Sequence, residues 1–199
     1  MRKKEFLAFY KNKYEGVNIG GGDWKFTVES NGAGYLNIVP RLLKTPPIQY
    51  LEPGVYISPF WYVELVLKLL GDKHPNWLIS MGAERRLKPE GGEVFEEHLE
   101  ENLEVIKRWF YKNNKPEIYI AELARIYALG NEGVGPAYRM KFYIACVFKG
   151  EVELLETERK AKEDGTSKRP PAFTLEFFEN CVRIAKEYQT GKRTPPVDF

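Results

Sequence analysis

The sequence contains few of the residues on which many catalytic and metal sites depend. Among its 199 residues there are two cysteines, two histidines and four serines. The histidines, His74 and His98, show no cysteine–histidine ligand spacing, which argues against a zinc site. No Gly-x-Ser-x-Gly elbow and no cysteine–histidine nucleophile pattern occurs. The sequence therefore predicts no metal site, no cofactor, and no hydrolysis by an activated serine or cysteine.

Long apolar runs are also missing. No segment reaches about 18 consecutive apolar residues, and the Met-Arg-Lys-Lys-Glu-Phe start lacks the apolar core of a signal peptide. Cys146 and Cys181 lie in apolar surroundings, where a free thiol packs as a small hydrophobic side chain. We therefore expect a cytoplasmic protein without membrane attachment.

Neither sign of charge dominates the chain. The 30 basic and 28 acidic residues leave a formal net charge of +2, so affinity for a polyanion has to come from a local patch. Glutamine, serine and methionine are rare, whereas lysine and glutamate are abundant. Hyperthermophilic proteins show this combination of depletion and enrichment. The composition therefore predicts a thermophilic source.

The spacing of hydrophobic residues predicts an α+β fold. Two antiparallel hairpins, at about residues 24–39 and 138–157, are expected to pack against four or five helices. Prolines at positions 40, 46 and 47 predict an irregular connector, and Ser58 with Pro59 is typical of a helix start. Residues 77–81 are expected to form a short strand. The expected helices cover residues 2–14, 60–70, 93–112, 116–129 and 174–191.

The chain length is suited to one domain with a substantial core. We expect a single domain over residues 1–199, within which residues of about 90–130 can form a helical sub-lobe. The segment Phe60–Leu70 is apolar on nearly every side. That pattern predicts either central burial or a homo-oligomeric interface.

Basic and aromatic residues are interleaved in two stretches, residues 2–14 and the predicted second hairpin with the loop after it. If folding gathers the cations on one side, they can contact phosphates while aromatic rings such as Tyr138, Tyr143 or Trp109 stack on bases. Ordinary solubilising charge is the alternative, because glutamates are interspersed. The predicted nucleic-acid-binding residues are Arg139, Lys141, Tyr143, Arg159, Lys160, Lys168 and Arg169.

A Glu-x-Lys pattern, Glu158 and Lys160, follows the expected strand Val152–Thr157. It resembles the pattern of restriction-type nucleases, in which the carboxylate binds Mg²⁺ and the lysine steadies the attacking water. That resemblance also implies an aspartate on the preceding strand, and residues 138–148 contain no acidic residue. Glu158 and Lys160 are therefore the candidate catalytic residues of an alternative function, with Mg²⁺ as its cofactor.

The N-terminal half resembles archaeal primase catalytic subunits in layout. The matching pieces are the basic helix with Phe9 and Tyr10, and the segments Trp24–Val28, Val55–Ser58 and Trp77–Met81. The resemblance implies paired metal-binding aspartates after the tryptophan-bearing strand. Here Glu84-Arg85-Arg86 occupies that place, and the Ser-Gly-His motif of the family is absent.

These observations favour a non-catalytic, nucleic-acid-associated accessory or binding protein, from a thermophilic cell, a virus or a mobile element. Two alternatives stay open at this point. One is a nuclease or nucleotidyl-transfer enzyme that uses a metal ion. The other is a structural module that forms a homo-oligomer through Phe60–Leu70.

Overall fold

The computed structural model describes residues 1–31, 33–45, 48–70, 78–82, 85–130, 135–171 and 173–199. Within these residues there are seven helices and seven strands in antiparallel sheets, which confirms the α+β class. The chain divides into two compact units. We call Met1–Phe60 with Trp77–Lys115 the sheet unit, and Trp61–Asn76 with Pro116–Phe199 the helical unit. The expectation of one domain with a sub-lobe at about residues 90–130 stays a prediction.

The sheet unit is built on a five-stranded antiparallel sheet in the order β1-β2-β3-β6-β7, and β4 pairs with β5 in a separate two-stranded sheet. The pairing of β2 with β3 confirms the hairpin predicted at residues 24–39. The unit also contains two whole helices, α1 (Lys3–Lys13) and α3 (Glu96–Asn113). Its strands are β1 (Gly16–Gly20), β2 (Asp23–Asn31), β3 (Gly34–Val39), β4 (Leu42–Thr45), β5 (Ile48–Leu51), β6 (Gly54–Pro59) and β7 (Ile79–Ser80).

The core of the sheet unit follows from the period of two along its strands and from the spacing of three and four residues on its helices. Along β2, Phe26 and Val28 are buried while Thr27 is exposed, because successive strand residues point to opposite faces. The ring of Tyr10 on α1 stacks on Phe26, with 5.6 Å between ring centroids. Helix α3 contributes an apolar stripe at intervals of three and four residues, namely Leu99, Leu103, Ile106 and Phe110.

Three details of the sheet unit differ from expectation. Residues 42–51 form the β4–β5 hairpin instead of an irregular connector, and Pro46 and Pro47 themselves lie outside the described residues. Ser58 and Pro59 belong to β6 instead of starting the helix, so the chain passes directly from strand to helix at Phe60. Of the strand expected over residues 77–81, only Ile79 and Ser80 are extended, and Trp77 is not described.

The helical unit consists of α2 (Phe60–Leu70, of which Phe60 counts with the sheet unit), α4 (Pro116–Leu129), α5 (Pro136–Lys149), α6 (Val152–Glu163) and α7 (Leu175–Gln189). The bounds of α2 and α4 agree with those predicted. The hydroxyl of Thr174 accepts a hydrogen bond from the Phe177 amide at 3.1 Å, which confirms the predicted cap of α7.

The second predicted hairpin, at residues 138–157, is wrong, because this segment forms α5 and α6. Residues 142–148 are all buried, and a helix buried on every side has no polar face to reveal its period. Gly150 lies inside the segment predicted as a hairpin. It is the left-handed residue that ends α5, with φ of 69°, and the Glu151 amide donates to the Cys146 carbonyl at 3.0 Å.

Two further expectations concern α2 and the cysteines. Helix α2 buries one stripe, Tyr62, Leu65, Val66 and Leu69, and leaves Leu67 exposed, so it is not buried on every side. Cys146 and Cys181 are free and buried, as predicted.

In the part of the chain that the structure describes, no helix combines the length and apolarity that crossing a membrane requires.

Candidate nucleic-acid interface

The predicted nucleic-acid-binding residues all lie on helices of the helical unit or on the loop after α6, and most of the arginines are already paired. Arg159 donates to Glu156 at 2.8 Å and to Glu163 at 3.0 Å. The Nε of Arg169 donates to both carboxylate oxygens of Glu158, at 3.0 and 3.1 Å. Two of the expected phosphate contacts are therefore engaged with carboxylates of their own surroundings.

The other predicted cations fall into two groups. Only 11% of the Lys141 side chain is exposed, and its Nζ lies 3.9 Å from Glu122. Burial lowers the pKa of Lys141, because the charged amine loses water. Arg139 is half-buried, whereas Lys160 and Lys168 are exposed. Of the seven predicted residues, these two lysines are the fully accessible cations.

Tyr143, predicted to stack on bases, is completely buried in the helical unit. Its ring makes edge contacts, with centroid distances between 5.1 and 6.0 Å, to Phe173, Phe177 and Phe178. The structure therefore contradicts a stacking role for Tyr143. Trp109 and Tyr138, the other rings considered for stacking, are half-buried.

The Glu-x-Lys pattern lies in the middle of α6 instead of at the end of a strand. Residues two positions apart do not face each other on a helix, so Glu158 and Lys160 do not converge on one point. The Glu158 carboxylate is bound by Arg169. The geometric premise of the nuclease interpretation is therefore wrong. Within the described ranges, no three or more His, Cys, Asp and Glu side chains are grouped so that they could hold a metal ion. Glu84, at the place of the primase aspartates, lies outside those ranges.

The basic stripe of α1 is also engaged within its own unit. The Nζ of Lys11 lies 3.6 Å from the ring centroid of Trp24, and Lys13 pairs with Glu100 of α3. These contacts tie α1 to the sheet and to α3. They leave Lys3 and Lys4 as exposed cations at the start of the helix.

A different group of cations is brought together by the small β4–β5 hairpin. The Leu51 amide donates to the Leu87 carbonyl at 2.9 Å, and the Leu87 amide donates to the Leu51 carbonyl at 3.1 Å. The segment around Leu87 thus adds a third antiparallel segment to β4 and β5. Because Leu42 pairs with Leu51, three chain segments run side by side here.

Side chains on the opposite face from Leu51 and Leu87 form two rows across these segments. Directly opposed residues of antiparallel neighbours lie on the same face. One row is therefore Arg41, Glu52 and Arg86, and the next is Leu43, Tyr50 and Lys88. We call these six residues the basic face.

The basic face has an aromatic ring beside two cations. The guanidinium of Arg86 lies 5.7 Å from the Tyr50 ring centroid, and the ammonium of Lys88 lies 5.6 Å from it. Both distances are within the range of about 6 Å for a cation–π contact. Tyr50 is half-buried, whereas Arg86 and Lys88 are exposed.

Glu52 is the carboxylate of the basic face, and it is shared. It accepts a hydrogen bond from Arg86 at 2.7 Å and lies 3.6 Å from Arg85. The hydrogen bond from Arg86 lowers the pKa of Glu52, and the charges of Arg85 and Arg41 act in the same direction. Three cations, Arg41, Arg86 and Lys88, therefore face one carboxylate, and Arg85 adds a fourth positive charge at the edge.

The sequence does not predict this group, because the prolines at positions 40, 46 and 47 predict an irregular connector where β4 forms. The available signal was the alternation of Arg86, Leu87 and Lys88, in which an apolar residue stands between two cations, but this run lies far along the chain from the run at residues 48–52. Only the pairing of Leu51 with Leu87 brings the two runs together.

Comparison with known proteins identifies a family but no function. The model of a family described as a family of unknown function (DUF6990) matches residues 2–186. No curated protein and no solved structure matches the chain. The matched residues include the whole basic face.

Proposed function

The chain belongs to the DUF6990 family, and we propose that it binds single-stranded nucleic acid through the basic face. The observation that carries the proposal is the position of Tyr50 beside Arg86 and Lys88, on a surface where three cations face one carboxylate. Aromatic rings flanked by cations on a β-surface are the usual means of holding a single strand without strict sequence preference.

The choice of a single strand over a duplex rests on the aromatic ring. Exposed cations alone can contact the phosphates of either form. A half-buried tyrosine stacks on a base only where that base is unpaired and accessible. Arg86 and Lys88 lie beside the ring and Arg41 belongs to the adjacent row, so they can contact phosphates next to a base stacked on Tyr50.

The proposal assigns binding and no reaction. Glu158 and Lys160 do not share a helix face, and Glu158 is bound by Arg169. Glu52, in the basic face, is held by Arg86 at 2.7 Å and serves as a counter-ion there. We therefore infer that the protein acts as a binding or accessory factor.

The test measures the affinity of the full chain for fluorescent dT20 and U20 by anisotropy over a range of salt concentrations. In the Arg86→Gln/Lys88→Gln variant we expect a loss of about tenfold or more at low salt, because two charges near the stacking ring are removed. The slope of log affinity against log salt should fall by about 0.7 for each lost phosphate contact. A Tyr50→Leu variant should lose affinity with the salt slope unchanged, because stacking releases no counter-ion.

The matched control is Lys160→Gln/Lys168→Gln, which removes the same charge from exposed lysines of the helical unit. Its affinity and salt slope should equal those of the wild type. If the wild type has no affinity for either oligonucleotide at low salt, the proposal is wrong. An equal loss in both double variants contradicts the basic face as the site.

A further inference from the structure

A cleft of about 330 Å³ lies in the helical unit between α2 and the end of α7 with the chain that follows it. Trp61, Glu64 and Lys68 line it from α2, and Tyr188 and Arg193 line it from the other side. Its volume falls at the lower end of the range of about 300–1,000 Å³ that is typical of small-molecule pockets. A ligand of one ring system with a small charged group fits this space.

The aromatic side of the cleft is held in place by a third ring. Phe148 of α5 lies 5.4 Å from Trp61 and 5.6 Å from Tyr188, measured between ring centroids. Trp61 also makes an edge contact with Tyr119 at 6.2 Å. Trp61 and Tyr188 are therefore fixed in orientation before any ligand enters, which lowers the entropy cost of binding a planar molecule.

Two cations and one carboxylate give the cleft its charge. Lys68 pairs with Glu64 at 2.5 Å, and the Nε of Arg193 pairs with Glu187 at 3.1 Å. The guanidinium of Arg193 lies 5.9 Å from the Tyr188 ring centroid. Each cation of the lining has a carboxylate partner, and that of Arg193, Glu187, lies outside the lining, so an anion in the cleft binds Arg193 in competition with Glu187.

We propose that this cleft binds a small aromatic anion of the nucleoside monophosphate class, with its ring against Trp61 and Tyr188 and its phosphate on Arg193 and Lys68. A planar guanidinium is suited to a phosphate because it can donate two parallel hydrogen bonds. The carboxylate of Glu64 can accept a hydrogen bond from an exocyclic amine, which favours adenine, guanine or cytosine over uracil. This site is separate from the basic face and does not depend on the function proposed for it.

The test is isothermal titration of the full chain with AMP, adenosine and inorganic phosphate. We expect saturable binding of AMP, and affinity at least about tenfold weaker for either fragment, because each fragment loses one half of the contacts. Arg193→Gln should lower the affinity for AMP about tenfold or more, because a hydrogen bond to a charged group is lost. Lys68→Gln should also lower the affinity for AMP. It serves as the second variant if Arg193→Gln does not fold stably.

The matched control is Arg183→Gln. Arg183 pairs with the same carboxylate, Glu187, at 3.3 Å, but it does not line this cleft. Arg183→Gln should keep the wild-type affinity for AMP. So should Arg86→Gln/Lys88→Gln, which separates this site from the basic face.

Three results would overturn the proposal. One is the absence of saturable heat with AMP at millimolar concentration. A second is equal weakening by Arg183→Gln and Arg193→Gln. The third is that inorganic phosphate binds as tightly as AMP, which would mean that Trp61 and Tyr188 contribute nothing to the affinity.

Discussion

The two units of this protein use the same residue types with opposite results. In the helical unit Arg159 is held by two carboxylates, and Arg169 is held by one. On the basic face of the sheet unit there are three cations, Arg41, Arg86 and Lys88, and one carboxylate, Glu52, which accepts a hydrogen bond from Arg86. The tyrosines differ in the same way, since Tyr143 is completely buried and Tyr50 lies half-buried beside two cations.

The difference follows from how helices and strands bring charges together. On a helix, residues three or four positions apart are neighbours, so a chain rich in glutamate and arginine pairs with itself locally, as Arg159 does with Glu156 and Glu163. On a sheet, the neighbours come from other segments. Whether Arg86 and Lys88 meet carboxylates was therefore decided by distant parts of the chain.

The largest effect on stability is expected from a substitution of Tyr143. Replacing it with alanine in the core of the helical unit should lower the free energy of unfolding by about 3–5 kcal/mol, because a large aromatic side chain leaves a cavity. Chemical denaturation measures this change. Tyr50→Ala, the matched change on the basic face, should cost less than about 1.5 kcal/mol, because Tyr50 is only half-buried. If Tyr143→Ala is tolerated and weakens nucleic-acid binding instead, the contrast between the two tyrosines fails.

A smaller effect of opposite sign is expected at Lys141. Only 11% of its side chain is exposed, and Glu122 is 3.9 Å away, so Lys141→Met should raise the free energy of unfolding by about 1 kcal/mol. Burial lowers the pKa of Lys141 in the folded state, so between that lowered pKa and 10.5 the unfolded chain binds more protons than the folded chain. The advantage of the variant is therefore complete below the lowered pKa and is lost as the pH rises towards 10.5.

Denaturation of Lys141→Met at pH 7 and at pH 10 checks both the sign and the pH dependence. The affinity of this variant for dT20 should equal that of the wild type. A clear loss of affinity would restore Lys141 to the nucleic-acid interface and weaken the distinction between the units.

The smallest effect is expected at Glu52. Its lowered pKa keeps it ionised at neutral pH, so it repels phosphate. Glu52→Gln should tighten binding to dT20 by about threefold at low salt, and the gain should vanish as salt screens it. The control is Glu163→Gln, which removes a carboxylate from Arg159 in the helical unit and should leave the affinity unchanged. Weaker binding by Glu52→Gln would mean that Glu52 acts by positioning Arg86.

How much could be predicted differs between elements for identifiable reasons. Helices α2 and α4 and the β2–β3 hairpin were predictable because their apolar spacing or turn residues are distinct. Helix α5 was not, because seven consecutive buried residues carry no period, and a glycine with positive φ serves a helix end as well as a hairpin turn. Because the hairpin prediction was wrong, it put Arg139, Lys141 and Tyr143 on a strand surface, whereas they lie on helix α5.

The sequence alone determined the α+β class, the apolar surroundings of both cysteines, and the bounds of helices α2 and α4, since these depend on local spacing. It also restricted any polyanion site to a local patch, because the net charge is only +2. The tertiary structure decided which cations form that patch. Two hydrogen bonds between Leu51 and Leu87 place Arg86 and Lys88 beside Tyr50, and a contact between segments so far apart has no signal in local sequence.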